Sequence, residues 1–343
     1  MLDEHKGRLF VLRGSSGTCG AQEQFAMGVI RCPSGKRLVS SGALTVILGL
    51  AGCLAPDKAG QADGAGAGLL PGVRHVLVVG FDGLGAYAWE KAEMPRLKAL
   101  AAQGALSLKV RSVLPSSSAV NWATHLMGAG PELHGYTEWD SKESLPPARA
   151  VGEYGRFPGI FGLVRNAYPR AEIGALYQWD GIRHVIENQA VSFEKNDKNF
   201  EELTDSAVDY ILTKRPQFTF VCYDEPDGVG HREGHDTPQY YAMLKRCDEE
   251  LGELLDALRT AGMEKDTLVL VIADHGGIEK GHGGKTLAEM ETPWVICGPG
   301  VKKGHAIESS VVHYDTAATL AHVFGAPPPQ VWTGRPVREA FAP

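Results

Sequence analysis

The chain has 343 residues, 43% of them apolar and 22% charged, with a formal net charge of −7. That balance is ordinary for a folded globular protein and excludes a disordered chain, a collagen-like fibre and a polytopic membrane protein. No basic cluster is large enough for a nucleic-acid-binding patch, and six cysteines in this length are too few for a disulfide scaffold.

The first informative stretch runs from Lys36 to Cys53. Lys36-Arg37 is a basic start, and Leu38–Gly52 is a mostly apolar run shorter than the roughly twenty residues of a membrane span. It ends in Leu50-Ala51-Gly52-Cys53, which resembles a bacterial lipoprotein signal cut before Cys53 and lipidated there. A plain signal peptide or a short buried helix are the alternatives. Such a signal starts near Met27, so the upstream residues fall outside it. Pro56–Gly72 is rich in Gly, Ala and Asp without apolar periodicity, the composition of a flexible tether. The expected organisation is an upstream extension and signal over 1–52, a tether over 53–72 and a catalytic domain over 73–343. The expected location is the periplasm-facing cell envelope, with the membrane a partner only through the anchor. Residues 1–52 carry six basic and three acidic side chains, leaving 28 basic against 38 acidic beyond them, a net of −10. An acidic protein acting on an anion needs a cationic device at its site, which points toward a metal.

From Arg74 onward short apolar runs alternate with helical patterns. His75–Phe81, Phe218–Tyr223, Thr267–Ala273 and Trp294–Cys297 are continuous apolar runs, as in strands covered on both faces. Met94–Gln103, Ala119–Met127, Phe200–Thr213 and Thr237–Ala261 read as helices. The last shows a stripe of Tyr241, Leu244, Leu251, Leu254, Leu255 and Leu258, with Asp236 or Thr237 as cap and Pro238 in the first turn. The alternation predicts an α/β fold, a mainly parallel central sheet with helices on both faces. Asp140–Asn199 is read as an irregular insertion on the substrate side. Cys222, Cys247 and Cys297 read as small buried hydrophobes, because an odd count gives no disulfide framework.

Three strand ends carry the chemistry. The runs ending at Phe81, Tyr223 and Ala273 lead into Asp82-Gly83, into Asp224-Glu225-Pro226-Asp227 with His231 beyond, and into Asp274-His275-Gly276. Ligands of open α/β sheets bind beyond the carboxyl ends of the strands. One such aspartate alone reads as a cap or turn residue. Three at one edge, two of them with histidine, repel one another unless a cation compensates them, and Asp with His suits zinc. His282, flanked by glycines, could close the set, with His235 and His313 as weaker candidates. Ser118, in Pro115-Ser116-Ser117-Ser118, precedes an apolar helix and is either its N-cap or a nucleophile at an anion-receiving helix start.

These residues resemble a family. Phe81-Asp82-Gly83, Met94 to Ala101, Pro115-x-x-Ser118-x-x-Asn121, Gly128-x-x-Pro131-x-x-His134-Gly135, Glu225-Pro226-Asp227-x-x-Gly230-His231 and Asp274-His275-Gly276 follow in the order of the type I phosphodiesterase and nucleotide pyrophosphatase branch of the alkaline phosphatase superfamily. The resemblance runs from about residue 74 to the end. It implies an alkaline phosphatase-like fold and two zinc ions, or other divalent ions in their place. Asp227, His231 and His282 would hold one, and Asp82, Asp274, His275 and the Ser118 oxygen the other. It also implies in-line attack by Ser118 on phosphorus of a small phosphate ester, through a phosphoseryl intermediate that water cleaves. The family's proline-plus-three spacing selects Ser118 over Ser116 and Ser117, and many relatives have Thr there.

Trp139 stands where relatives place a phosphate-contacting Asn, so it is a candidate substrate wall. Asn121 is a candidate to compensate, with a cap or core-edge role as its alternative. A sulfatase is disfavoured because Val120 and Trp122 stand where its Pro and Arg would be. A cofactor-independent phosphoglycerate mutase is disfavoured by the export signal. A phosphomonoesterase, an envelope phosphotransferase or an inactive metal-stabilised binding protein are the alternatives to a diesterase. Asp315 reads as a helix cap.

Overall fold

The structure is a computed structural model that describes residues 68–343, so the signal, Cys53 and most of the tether lie outside the described residues. Eight strands form one sheet: β1 His75–Asp82, β2 Ala105–Arg111, β3 Ile173–Tyr177, β4 Phe193–Asn196, β5 Phe218–Pro226, β6 Thr267–Ile272, β7 Glu291–Cys297 and β8 His305–Ala306. Their spatial order is β4-β3-β5-β1-β6-β7-β2-β8. All run the same way except β7, which is antiparallel to both neighbours.

β1 and β6 hold the centre because their residues are almost all buried, and alternate side chains feed two separate cores. Val76 and Val78 join one core, with Trp122, Phe161 and Leu320 from the helices Ser118–Met127, Ile160–Ala167 and Asp315–Val323. Leu77, Val79 and Phe81 join the other, with Leu97, Leu203, Leu244 and Leu251 from the helices Pro95–Gln103, Phe200–Lys214 and Pro238–Thr260. A strand buried on both faces has no polar side to alternate with, which is why these runs are continuous. Among the described residues no helix is long and apolar enough to cross a membrane.

The expected elements are present with small shifts. β5 runs three residues past Tyr223, and β7 begins three before Trp294. In the long helix Thr237 supplies the cap, its hydroxyl accepting from Tyr240 N. The buried stripe there contains Tyr240 rather than Tyr241, which is half-buried with Leu255. The reason is polar: the Tyr240 hydroxyl donates to Gly83 O at 2.7 Å and accepts from Gly85 N at 3.3 Å, tying the helix to the loop after β1. The segment Asp140–Asn199, expected to be irregular, instead supplies the helix Ile160–Ala167 and strands β3 and β4, and β3 pairs directly with β5. Cys222 and Cys247 are buried and Cys297 half-buried, all as free thiols.

Candidate active site

β5, β1 and β6 are adjacent and parallel, so their carboxyl ends open at one edge. Asp82 is the last residue of β1, and Asp274-His275 follows β6 by one residue. The pairing of β1 with β5 slips between Phe81 and Asp82, so that Asp82 lies opposite Pro226. The slip brings Asp227, first residue of the helix Asp227–Glu233, beside the end of β1. Gly83 has φ +72°, and a Cβ there would lie 2.7 Å from Asp227 Cβ, so only glycine permits this approach. The loop after His275 returns His282 against the Ser118 segment, where His282 Nδ1 donates to Ser116 O at 3.0 Å.

The structure brings all seven expected ligands together. His275 Nε2 lies 3.4 Å from Asp82 Oδ1, 3.2 Å from Asp274 Oδ2 and 3.3 Å from Ser118 Oγ. Asp227 Oδ2 lies 3.1 Å from His231 Nε2 and 3.9 Å from His282 Nε2. The His231 and His282 Nε2 atoms are 3.2 Å apart, and the rings of His275 and His282 stack at 3.7 Å. Two groups, Asp82 with Asp274 and His275, and Asp227 with His275 and His282, hold their ligand atoms within 4.8 Å of one another.

The donor set fits a pair of cations. Asp82 Oδ1 and Asp274 Oδ2 are buried without a hydrogen bond, and Asp227 Oδ1 has only His235 Nε2 at 3.5 Å, a costly state for carboxylates that a cation would relieve. Each ligand histidine gives Nδ1–H to a backbone carbonyl: His275 to Gly276, His231 to Lys280 and His282 to Ser116. Those bonds turn each Nε2 toward the carboxylates: in neutral His275 and His282 they leave the Nε2 lone pair free for a metal, and His231 would give up its Nε2 proton to one.

Protonation follows from the same crowding. Burial first, then the charges of Asp274 and Asp227, push Asp82 well above the usual carboxylate range. Burial pushes Asp274 up to about 7 and lowers His275 and His282 to about 4, so both rings are neutral ligands at neutral pH. Burial also opposes ionisation of Asp227, yet hydrogen bonds from His231 and His235 prevail and hold it well below its ordinary value. Its bond to Asp227 lifts His231 to about 9.

Ser118 is the first residue of its helix, and Ser117 occupies the N-cap position. Ser118 Oγ makes no cap bond and faces His275 instead, so the capping role is not the one the fold uses. The next amide, Ala119 N, donates to Trp139 O at 3.0 Å, while Ser118 N has no acceptor among the described residues. A helix start with a free N–H beside the hydroxyl suits an anion. Trp139 is 60% exposed, at the rim.

Asn121 is not available to a substrate. It is wholly buried, its Oδ1 accepts from Val113 N at 2.8 Å, and its Nδ2 reaches the carbonyls of Val113, Pro115 and Ser117. Its role is to clamp the loop that presents Ser118. His313 bonds Asn121 and Thr292 and stacks on His125, away from the ligand set. His235 is closer than its sequence weight suggested: its buried Nε2 sits 3.5 Å from Asp227 Oδ1. Asp315 accepts from Val312 N and Arg335 N at its helix start. Trp122, which donates its indole N–H to Asp82 Oδ2 at 3.0 Å, had no signal in the sequence because nothing in the spacing links positions 82 and 122.

Comparison with known proteins gives a family model, type I phosphodiesterase / nucleotide pyrophosphatase, that matches residues 76–147 and 164–290. A relative from Bos taurus named bis(5'-adenosyl)-triphosphatase ENPP4 is 24% identical over 212 residues, 59% of this chain and 47% of that protein. The 2,3-bisphosphoglycerate-independent phosphoglycerate mutase of Natronomonas pharaonis is 32% identical over 145 residues, 40% of this chain and 27% of that protein. The chain thus spans about half the length of the ENPP4 relatives it matches. Among solved structures, an inactive form of murine ectonucleotide pyrophosphatase / phosphodiesterase 5 in complex with AMP superposes with TM-score 0.67 at 17% identity, covering 78% of this chain and all of that one.

Proposed function

Because the chain belongs to the type I phosphodiesterase / nucleotide pyrophosphatase family, with the alkaline phosphatase-like fold, we propose that it is a metal-dependent phosphoric ester hydrolase with Ser118 as nucleophile. The observation that carries this reading is Ser118 Oγ, 3.3 Å from His275 Nε2 and beside three buried carboxylates with bare oxygens. Asp227, His231 and His282 would hold one divalent cation, and Asp82, Asp274, His275 and Ser118 Oγ the other. Zinc suits this mixture of carboxylate and imidazole. When bound, the cations neutralise phosphate oxygens and lower the pKa of the serine hydroxyl.

The chain's own groups supply position. The Asn121 clamp fixes the loop before Ser118, and the Ser118 N–H, with no acceptor among the described residues, is available to an incoming phosphate oxygen. Ser118 Oγ gives its proton to solvent and bonds to phosphorus as the P–O bond to the leaving group breaks on the opposite side, the departing alkoxide taking a proton from water. Water then bonds to phosphorus and loses a proton, the P–Oγ bond breaks, Ser118 Oγ regains a proton, and a phosphate monoester leaves from a diester substrate or inorganic phosphate from a monoester. His231 is half-exposed, so the site is open to water on that side.

Diesters are the first substrate class and monoesters the second. The match to the type I phosphodiesterase / nucleotide pyrophosphatase family is what favours diesters. The AMP in the murine complex makes nucleotide diesters the natural probes. With zinc added, the purified protein is expected to hydrolyse bis-p-nitrophenyl phosphate faster than p-nitrophenyl phosphate. The reverse order moves the substrate class to monoesters. Release only when an alcohol acceptor is added moves the activity to phosphoryl transfer.

Attachment to a membrane through lipidated Cys53, facing the periplasm, is part of the same proposal and rests on the sequence alone. The division into signal over 1–52, tether over 53–72 and catalytic domain over 73–343 goes with it. Cys53→Ala is expected to move the protein from the membrane to the soluble fraction, and unchanged membrane partition counts against the anchor.

A further inference from the structure

Trp122 sits one helical turn after Ser118, so both side chains leave the same face of one helix. Its indole is wholly buried, and Nε1 donates to Asp82 Oδ2 at 3.0 Å. Tryptophan nitrogen is a donor only, so the direction of this bond is not in question. Packing holds the ring in place. A Cβ on Gly80 in β1 would lie 2.5 Å from its outer edge, and Phe220 meets it edge-on at 6.0 Å between centroids. Asp82 is therefore divided: Oδ2 is held from behind, and Oδ1 stays bare and turned toward His275 Nε2. Asp274 is divided in the same way, its Oδ1 accepting from Gly83 N and His275 N while Oδ2 stays bare. For Asp274 the backbone does this work. For Asp82 only one side chain does.

We propose that Trp122 is a positioning residue that restricts Asp82 to a single ligating oxygen and so sets the affinity of the cation position built on Asp82, Asp274 and His275. The inference rests on the two-cation reading above and adds a residue to it. The same rigid helix carries the nucleophile, so the indole also couples the place of that carboxylate to the place of Ser118 Oγ. Without the N–H, Oδ2 is a buried carboxylate oxygen with no partner, free to rotate toward the cation and change the ligand geometry. Removing the partner behind a metal ligand costs roughly 10–100-fold in metal affinity.

The test is zinc competition against a chromophoric chelator with the full chain, counting equivalents and their affinities. Wild type is expected to bind two equivalents. Fewer than two in wild type overturns the two-cation reading itself, and that result is visible before any variant is made. In Trp122→Phe, one equivalent is expected to weaken about 10–100-fold while the other is unchanged. Phe220→Leu, which loosens packing around the indole and leaves the N–H in place, is expected to lower the melting temperature without weakening zinc. Placing benzothienylalanine at position 122 keeps the bicyclic shape and lacks the N–H, so it decides the matter if the phenylalanine variant does not fold. Two unweakened equivalents in the benzothienyl protein, or in a folded Trp122→Phe, overturn the proposal. Equal weakening by Phe220→Leu does so as well, because packing alone would then account for the effect.

Discussion

Ser118→Ala is expected to lower turnover by at least about 1000-fold while the protein still binds zinc, because removing a nucleophile leaves only the binding and electrostatic contributions of the site. Ser118 is small, its Oγ makes no cap bond, and the helix behind it is held by the Asn121 clamp and by apolar packing of Trp122 and Leu126. Nothing structural depends on the hydroxyl, so the variant should fold and melt as wild type does. The six protein ligands other than Ser118 Oγ remain in place. Measuring kcat and zinc content on the same preparation checks both halves. Turnover near wild type would remove Ser118 from the reaction and return attention to Ser116 or to direct attack by water. Loss of zinc along with turnover would make Ser118 chiefly a ligand.

His275→Ala is expected to abolish turnover and to remove the cation held by Asp82, Asp274 and His275, leaving about one zinc equivalent on Asp227, His231 and His282. His275 Nε2 is within 3.4 Å of Asp82, Asp274 and Ser118, at the centre of that ligand set. The pH dependence makes this measurable by thermal shift. Burial raises Asp274 from 3.8 to about 7, so the metal-free fold is stabilised by its protonated form below about pH 4, and that contribution is lost as pH rises through 7. His231, raised from 6.5 to about 9 by Asp227, acts in the same direction at higher pH. A bound cation replaces those protons, so zinc should raise the wild-type melting temperature more at pH 7 than at pH 5. In His275→Ala the shift at pH 7 should be reduced, because only one cation position remains, with circular dichroism confirming that the domain is folded. A larger shift at pH 5, or an undiminished shift in the variant, would contradict the assignment of these carboxylates as ligands.

Both results concern residues that were legible before any coordinates, and the reason lies in where they stand. Asp82 and Asp274 directly follow uninterrupted apolar runs and Asp227 stands four residues past a third, and in a parallel sheet the ends of such runs share one edge. Periodicity failed where a strand was short or half-exposed. β3 has five residues, two of them small, and β2 alternates buried and exposed positions. The reading of Asp140–Asn199 as irregular follows from that, since β3 declares itself only through pairing with β5. The antiparallel course of β7 was equally silent, because an apolar run carries no direction.

The residues that support the ligands were the least legible. Asn121 reads from the sequence as a candidate to replace the phosphate-contacting Asn missing at Trp139, yet its amide is spent on three carbonyls and one amide of the preceding loop. His235 approaches Asp227 and Trp122 approaches Asp82 through space, on elements whose sequence patterns announce only a helix and a loop. The sequence by itself determined the α/β class and the three strand ends, because those depend on local pattern and chain order, while the proposed ligand sets and the choice of Ser118 among three serines rest on resemblance to a family. The tertiary structure alone decided which oxygen of each carboxylate is free, which N–H stands behind it and which face of the Ser118 helix meets the site. Those are set by strand pairing, by the slip between Phe81 and Asp82 and by packing at contact distance, and none of the three has a period along the chain.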